Sequence, residues 1–254
     1  MKIEGLDEKY TSTGNYIVAF IDVLGTKAKY YKKKDECLEE LWLITHIIKK
    51  EIYGKKIIFR TFSDNFFIGI ECSNEESKAF NELCNILGNL SYRCLTSGGI
   101  LIRGAISKGT MHIDDNIILG DALIRAYSLE SSCAIYPRII IDKNTIPLVN
   151  PNNVMKYNGG LYLDIDSFWC INSLKYTNEK IDAIFQSSLK AYMVKNKAEC
   201  QLNNDLKAKA KVDYYINYVN EYYLEKDGKP LIDRSLFEKI ELMNKDELED
   251  IIKK

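Results

Sequence analysis

The chain has 254 residues and a formal net charge of −1, with 28% charged residues, long enough to bury a sizeable core and carry an appendage. The near-neutral balance excludes a globally basic nucleic-acid surface, so any anion site must be local and the expected substrate is small. Cysteines at positions 37, 72, 84, 94, 133, 170 and 200 are never spaced as C-x-x-C, which argues against a disulfide framework or zinc knuckle and for a reducing cytoplasm.

Met1 to Tyr10 is polar and lacks the apolar core of a signal peptide, and no later segment is apolar over the length a bilayer span needs. A soluble cytoplasmic protein without membrane contact is therefore expected. Tyr16 to Leu24 reads as a buried strand, released by Gly25-Thr26 into a lysine-rich stretch and an amphipathic helix around Glu36 to Lys50. Lys56 to Phe62 and Phe66 to Ile70 flank Ser63-Asp64-Asn65, the composition of two strands joined by a tight turn with Asp64 at its tip. Glu75 to Leu95 carries Phe80, Leu83, Leu87 and Leu90 at helical spacing and stops before the breakers Ser97-Gly98-Gly99.

Ile100 to Ser107 is a further strand, interrupted by Arg103 and Gly104, and Lys108 through Asn116 reads as a β-arm leading to Ile117-Ile118-Leu119. A third helix follows Gly120-Asp121 and ends near Ser132, and a strand at Arg138 to Asp142 opens after Pro137, where proline is tolerated. The order strand, helix, strand, strand, helix, strand, helix, strand is that of a ferredoxin-like α+β sheet, with helices on one face and a loop edge that can assemble a site. Beyond a loop at Asn150 to Asn153 and a strand at Leu161 to Ile165, the composition shifts to lysine, tyrosine and asparagine. We expect residues 1–175 to form the sheet domain and 176–254 a helical appendage. Within it Tyr214, Tyr215, Tyr218, Tyr222 and Tyr223 recur at helical spacing, read as a packing face rather than a base-stacking platform.

Asp22 and Asp64 interrupt apolar strand-like runs, where a lone carboxylate costs several kcal/mol unless paired or bound to a cation. The fold brings the end of the first strand beside the hairpin tip, so the two acids can share one cation. The competing assignments are ordinary: Asp22 capping a turn, Asp64 bonding its own backbone. Arg103 among apolar neighbours either satisfies a structural carboxylate or reaches a phosphate. Asp114, Asp115 and Asp121 are read as solvated loop acids and a helix cap, and Asp164 and Asp166 as solvent-facing strand positions. His46 and His112 give no support to a nucleophilic triad.

Four segments, Phe20-Ile21-Asp22-Val23-Leu24-Gly25-Thr26, Phe62-Ser63-Asp64, Arg103-Gly104-Ala105-Ile106-Ser107-Lys108-Gly109 and Leu119-Gly120-Asp121-Ala122-Leu123, resemble in order and spacing the catalytic domain of class III nucleotidyl cyclases over residues 16–142. The resemblance implies a cyclase/palm-type sheet and a nucleoside triphosphate substrate. It also implies two Mg²⁺ or Mn²⁺ ions bridged by Asp22 and Asp64 with the Val23 carbonyl as a further ligand. Leu24, Gly25 and Thr26 would meet the triphosphate through backbone N–H groups, with Lys27 close by. A homodimer is implied, since family sites form between two such domains.

The chain departs from the family where cyclases carry an asparagine and, four residues on, an arginine: Ile124 and Ser128 stand there. Arg125 is one position away, about 100° around a helix, so a rotated or shifted helix would present it, with Arg103, as a candidate catalytic arginine; the competing assignment is a surface arginine. At the base-recognition position four residues before the second aspartate stands Arg60, about 13 Å along a strand from Asp64. Arginine offers only donors, which favours uracil or guanine carbonyls, hence UTP or GTP; the companion position falls near the apolar Ile117. This pattern is also similar to the bacterial pyrimidine cyclases of phage defence. The expected activity is formation of a 3′,5′-cyclic nucleotide, with oligonucleotide synthesis as a related outcome. The alternatives are an inactive nucleotide-binding or interaction module, or a structural role for the helical appendage.

Overall fold

In the computed structural model, residues 13–72, 75–149, 159–176 and 182–253 are described. Eight strands form one sheet in the order β2-β3-β1-β4-β6-β8-β7, with β5 paired to β4. The first strand, β1 (Thr13–Val23), lies between β3 (Asn65–Glu71) and β4 (Ile102–Ile113), antiparallel to both. β2 (Ile57–Phe62) pairs with β3 at the outer edge. With α2 (Lys34–Ile52) and α3 (Glu76–Gly98) as the crossovers, this is the ferredoxin-like βαββαβ unit expected from the sequence. On its far side β6 (Ile139–Ile141) adds parallel to β4, followed by β8 (Trp169–Ile171) and β7 (Leu161–Leu163).

β1 is covered on both faces, which is why its sequence is nearly continuous in apolar residues rather than alternating. Ile17, Ala19, Ile21 and Val23 pack with Ile44, Ile47 and Ile48 of α2 and Phe80, Leu83 and Leu87 of α3. On the opposite face Tyr16 and Val18 meet Ala122 and Ala126 of α4 (Asp121–Ser132). The same face of the outer strands, carrying Ile140, Tyr162 and Cys170, is covered by α5 (Asp182–Leu202) and α6 (Leu206–Asp227), with α7 (Arg234–Leu242) and α8 (Lys245–Lys253) in the same cluster. Tyr215, Tyr218, Tyr222 and Tyr223 are all buried there, so the tyrosine block is a packing face.

Several boundaries differ from those expected. The lysine-rich stretch is itself a short helix, α1 (Thr26–Lys32). Helix α3 runs through Ser97 and Gly98 and stops only at Gly99, whose φ of 65° and N–H to the Leu95 carbonyl form the C-cap. The β-arm is continuous with the strand before it, because β1 offers partners along the whole length, from Val23 opposite Ile102 to Thr13 opposite His112. Only Ile118–Gly120 folds back as β5. β8 was not anticipated; three residues leave too short a pattern to read.

The expected strand to Ile165 ends at Leu163, so Asp164 and Asp166 lie in the turn before β8 rather than on a solvent-facing strand. Both pair with Arg138, whose buried guanidinium is ringed by Tyr136, Phe168 and Tyr214. Asp121 is the first residue of α4, not its cap, and accepts from the Thr110 hydroxyl at 2.7 Å. Asp114 closes its turn by accepting the Asn116 and Ile117 N–H groups, both at 2.7 Å. His46 is exposed and stacks on Trp42. The loop at Asn150 to Asn153 lies outside the described residues.

Candidate active site

The two aspartates are brought together by the order of three strands. Asp22, one residue before the end of β1, lies opposite Asn65 on β3 and Arg103 on β4. Asp64 occupies the two-residue turn between β2 and β3, in which Ser63 takes a φ of 57°, the left-handed conformation that tight hairpins require at their first turn position. The Asp64 carbonyl accepts the Val23 N–H at 3.3 Å, tying the hairpin tip to the end of β1. The carboxylates feel each other. Burial lifts the Asp22 pKa, the hydrogen bond and charge of Arg103 pull it back, and the Asp64 charge lifts it further, for a net rise.

Arg103 answers to a structural carboxylate rather than standing free for a phosphate. Its Nε donates to Asp22 Oδ2 at 2.8 Å, and its Nη1 donates to the Ala134 carbonyl at 3.3 Å. Its Nη2 lies 2.8 Å from Glu130 Oε1. That last contact brings opposite charges together without a well-directed hydrogen bond, and Glu130 Oε1 is buried with no hydrogen-bond partner. Glu130 is 3% exposed. Burial raises its pKa, against the Arg103 charge and with the charges of Asp22 and Asp64. Lys211 of α6 also lies within electrostatic reach of Asp22, Glu130 and Arg103; burial lowers its pKa, followed by the Arg103 charge.

Neither Glu130 nor Lys211 was a candidate from sequence, but Glu130 left a signal. Ala122, Ala126 and Glu130 follow at intervals of four on α4 and are its buried residues, so an acid stands on the face that the helix turns to the sheet. Lys211 left none, since Lys207 and Lys209 stand beside it in the first turns of the same helix.

The phosphate-loop candidates surround the start of α1. Gly25 caps it with φ 86° and has open space where a Cβ would stand, so the backbone conformation is what requires glycine there. The Leu24 N–H is committed to the Leu101 carbonyl at 2.9 Å, and the Thr26 hydroxyl donates to the Val23 carbonyl at 2.9 Å. Lys27 is exposed in the first turn. Arg60 is exposed on the edge strand, its Nη1 donating to its neighbour's carbonyl on Phe59. Because Asp64 lies in the turn, the strand spacing between the two does not apply. Arg125 is held away from this cluster by Asp142, with contacts of 2.7 and 2.9 Å. Ile124 and Ser128 are exposed on α4, and Ile117 is exposed beside β5.

Among the described residues no group of three or more His, Cys, Asp or Glu side chains is gathered to hold a metal ion. The donor chemistry of the aspartate pair nonetheless suits a hard cation: both groups offer oxygen, and their mutual repulsion is what a divalent ion relieves. No helix among the described residues is long and apolar enough to cross a membrane.

Strand order 2-3-1-4 places the four motif segments at the end of β1, the β2-β3 turn, β4 and the start of α4. The fold is a ferredoxin-like α+β sheet. No protein-family model and no curated protein matches the chain. Among solved structures it is similar to a class III adenylyl cyclase-like ATP-binding protein from Pseudomonas aeruginosa, with 14% identity and a TM-score of 0.43. That similarity covers 56% of this chain and only 36% of the Pseudomonas protein. It is also similar to the monomeric guanylyl cyclase domain of the RhoGC fusion protein from the aquatic fungus Blastocladiella emersonii, with 17% identity, a TM-score of 0.47 and coverage of 62% and 94%. The adenylyl cyclase CyaB from P. aeruginosa gives 16% identity, a TM-score of 0.41 and coverage of 54% and 80%.

Proposed function

We propose that the protein is a nucleotide cyclase: the 3′-hydroxyl of a nucleoside triphosphate attacks its own α-phosphorus, pyrophosphate leaves, and a 3′,5′-cyclic nucleotide forms. The observation that carries this reading is the meeting of Asp22 and Asp64 where β1 ends beside the β2-β3 turn, the Val23 N–H bonded to the Asp64 carbonyl. Asp22, Asp64 and the Val23 carbonyl would hold two Mg²⁺ or Mn²⁺ ions, which supply neutralisation of the phosphate charge and acidification of the attacking hydroxyl. Arg103, bonded to Asp22 Oδ2, is a positioning residue that fixes the direction of that carboxylate. Gly25, Thr26 and Lys27 present the start of α1 to the phosphates, where helix N–H groups are not used within the helix.

Arg60 on the exposed edge favours UTP or GTP through its donors. The apolar side chains Leu119, Ile124 and Tyr127 are exposed on β5 and α4 and supply a surface for a second copy, and we infer a homodimer. Residues 1–175 form the cyclase unit in this reading and 176–254 its helical appendage. The seven cysteines are all free, in keeping with a reducing cytoplasm, and the similarity to pyrimidine cyclases points to phage-defence signalling.

The test is to incubate the purified protein with ATP, GTP, CTP and UTP in Mg²⁺ or Mn²⁺ and analyse products by mass spectrometry. A cyclic mononucleotide that disappears in Asp22→Asn and Asp64→Asn is expected; no product from any of the four overturns the enzyme reading, and an oligonucleotide corrects its product. A second reading, a binding module without turnover, is favoured by Arg125 being tied to Asp142 while Ile124 and Ser128 cannot replace the family's asparagine and arginine. It predicts nucleotide binding with no product.

A further inference from the structure

We infer that Lys211, on the appended helix α6, is a phosphate-binding residue of the candidate site, so that the helical segment completes the anion subsite that the sheet domain begins. This rests on the cyclase reading above. Tyr214, one turn along α6, stacks on Tyr136 with ring centroids 4.4 Å apart, and its hydroxyl donates to Asp164. Tyr136 stands two residues after Ala134, the residue whose carbonyl takes Arg103 Nη1. Residues three apart on a helix share a face, so the turn carrying Lys211 is anchored beside the segment that holds Arg103.

The charge pattern says what Lys211 is for. It is partly buried, and among the described residues it makes no hydrogen bond or ion pair, unlike Lys197 and Lys209 on the neighbouring faces, which are paired with acids. Glu130 Oε1 is likewise buried without a hydrogen bond. Asp22, Asp64 and Glu130 set three negative charges against the two positive ones of Arg103 and Lys211. The cluster is thus near balance when empty and strongly positive once divalent ions join it, the condition under which a polyphosphate is attracted and a lone ammonium gains a partner. Arg103 is already engaged with Asp22, Ala134 and Glu130, whereas the Lys211 ammonium is the cation of this cluster with no such partner to give up before it turns to a phosphate.

The probe is inorganic tripolyphosphate with Mg²⁺, which has no ribose and cannot be cyclised, titrated calorimetrically into the full chain. Lys211→Gln should weaken binding at least about tenfold, the loss of one charge-assisted contact. Lys211→Arg should restore most of the affinity, and Lys229→Gln, an exposed residue just past the C-cap of α6, should change nothing. A purely structural counter-charge would instead lower the melting temperature and leave affinity intact. Unchanged affinity in Lys211→Gln, with the wild type binding, overturns the inference and spares the cyclase reading. A wild type that makes cyclic nucleotide yet ignores tripolyphosphate does the same, whereas a wild type that neither binds nor turns over overturns both. On unmodified protein, tripolyphosphate should slow acetylation of Lys211 but not Lys229 as read by mass spectrometry; equal rates with and without it overturn the inference even if the variants fail to fold.

Discussion

Replacing Arg103 with methionine keeps the length of the side chain and removes the charge that Asp22 and Glu130 share. Breaking one buried ion pair costs roughly 3 to 5 kcal/mol, because the partner is left charged without compensation. Here two partners are orphaned, with side chains 16% and 4% exposed. Partial solvation of Asp22 and the nearby Lys211 soften the loss, so about 3 kcal/mol is expected. In a domain of this size that lowers the melting temperature by about 6 to 12 °C. The pH dependence carries the sharper test. Both carboxyls are already held above their ordinary values in the folded protein, chiefly by burial. Such groups bind protons in the folded state before the unfolded chain does, so acidification from neutrality toward about pH 4 favours folding. Without Arg103 both rise further and the variant gains more from acid, so its deficit must shrink between pH 7 and pH 5. Thermal unfolding followed by circular dichroism at the two pH values measures this. A variant melting within about 2 °C of wild type at pH 7, or a gap that stays constant at pH 5, refutes the account of the cluster.

Asp64→Asn, in an open turn, should melt within about 2 °C of wild type while lowering cyclic-nucleotide formation at least about 100-fold, the scale expected when a charge serving the transition state is removed; liquid chromatography with mass detection separates the two effects. Arg125→Gln leaves the buried Asp142 with Ser107 as its remaining side-chain donor at 2.8 Å. Burial acts to raise the Asp142 pKa, but the Arg125 and Ser107 hydrogen bonds outweigh it and the net shift is downward. That stabilisation is present above the ordinary carboxylate range and is lost as pH falls through the lowered value. The variant should therefore be about 1 to 2 kcal/mol less stable at pH 7 and converge with wild type in acid, as urea midpoints will report. Gly104→Ala would place a Cβ 2.5 Å from the Phe20 carbonyl and 2.4 Å from Ile21 Cδ1. Since backbone cannot yield as a flexible side chain does, a loss of about 1 to 3 kcal/mol in denaturant titrations is expected.

Much of the sheet was legible because its signals are local. The apolar run of β1, the hairpin composition around Ser63-Asp64 and the helical spacing of Phe80, Leu83 and Leu87 each report an element from its own residues, and their order narrows the topology to a few choices. What failed were boundaries decided by partners at a distance: β4 runs to Ile113 because β1 is there to pair with it, and Asp164 turns inward because Arg138 is buried beside it, while Asp166 pairs with the same arginine and stays exposed.

The same division holds at the site. By itself the chain determined that two carboxylates interrupt apolar strands and that a strand-helix-strand-strand order can bring them together, since burial pattern and turn chemistry are written within a few residues of each aspartate. Only the tertiary structure decided who neutralises whom: Arg103 bridging Asp22 and Glu130, Arg125 withdrawn to Asp142, and Lys211 arriving from a helix far along the chain. Electrostatic energy depends on separation in space and on burial, and neither is a property of any local stretch of sequence.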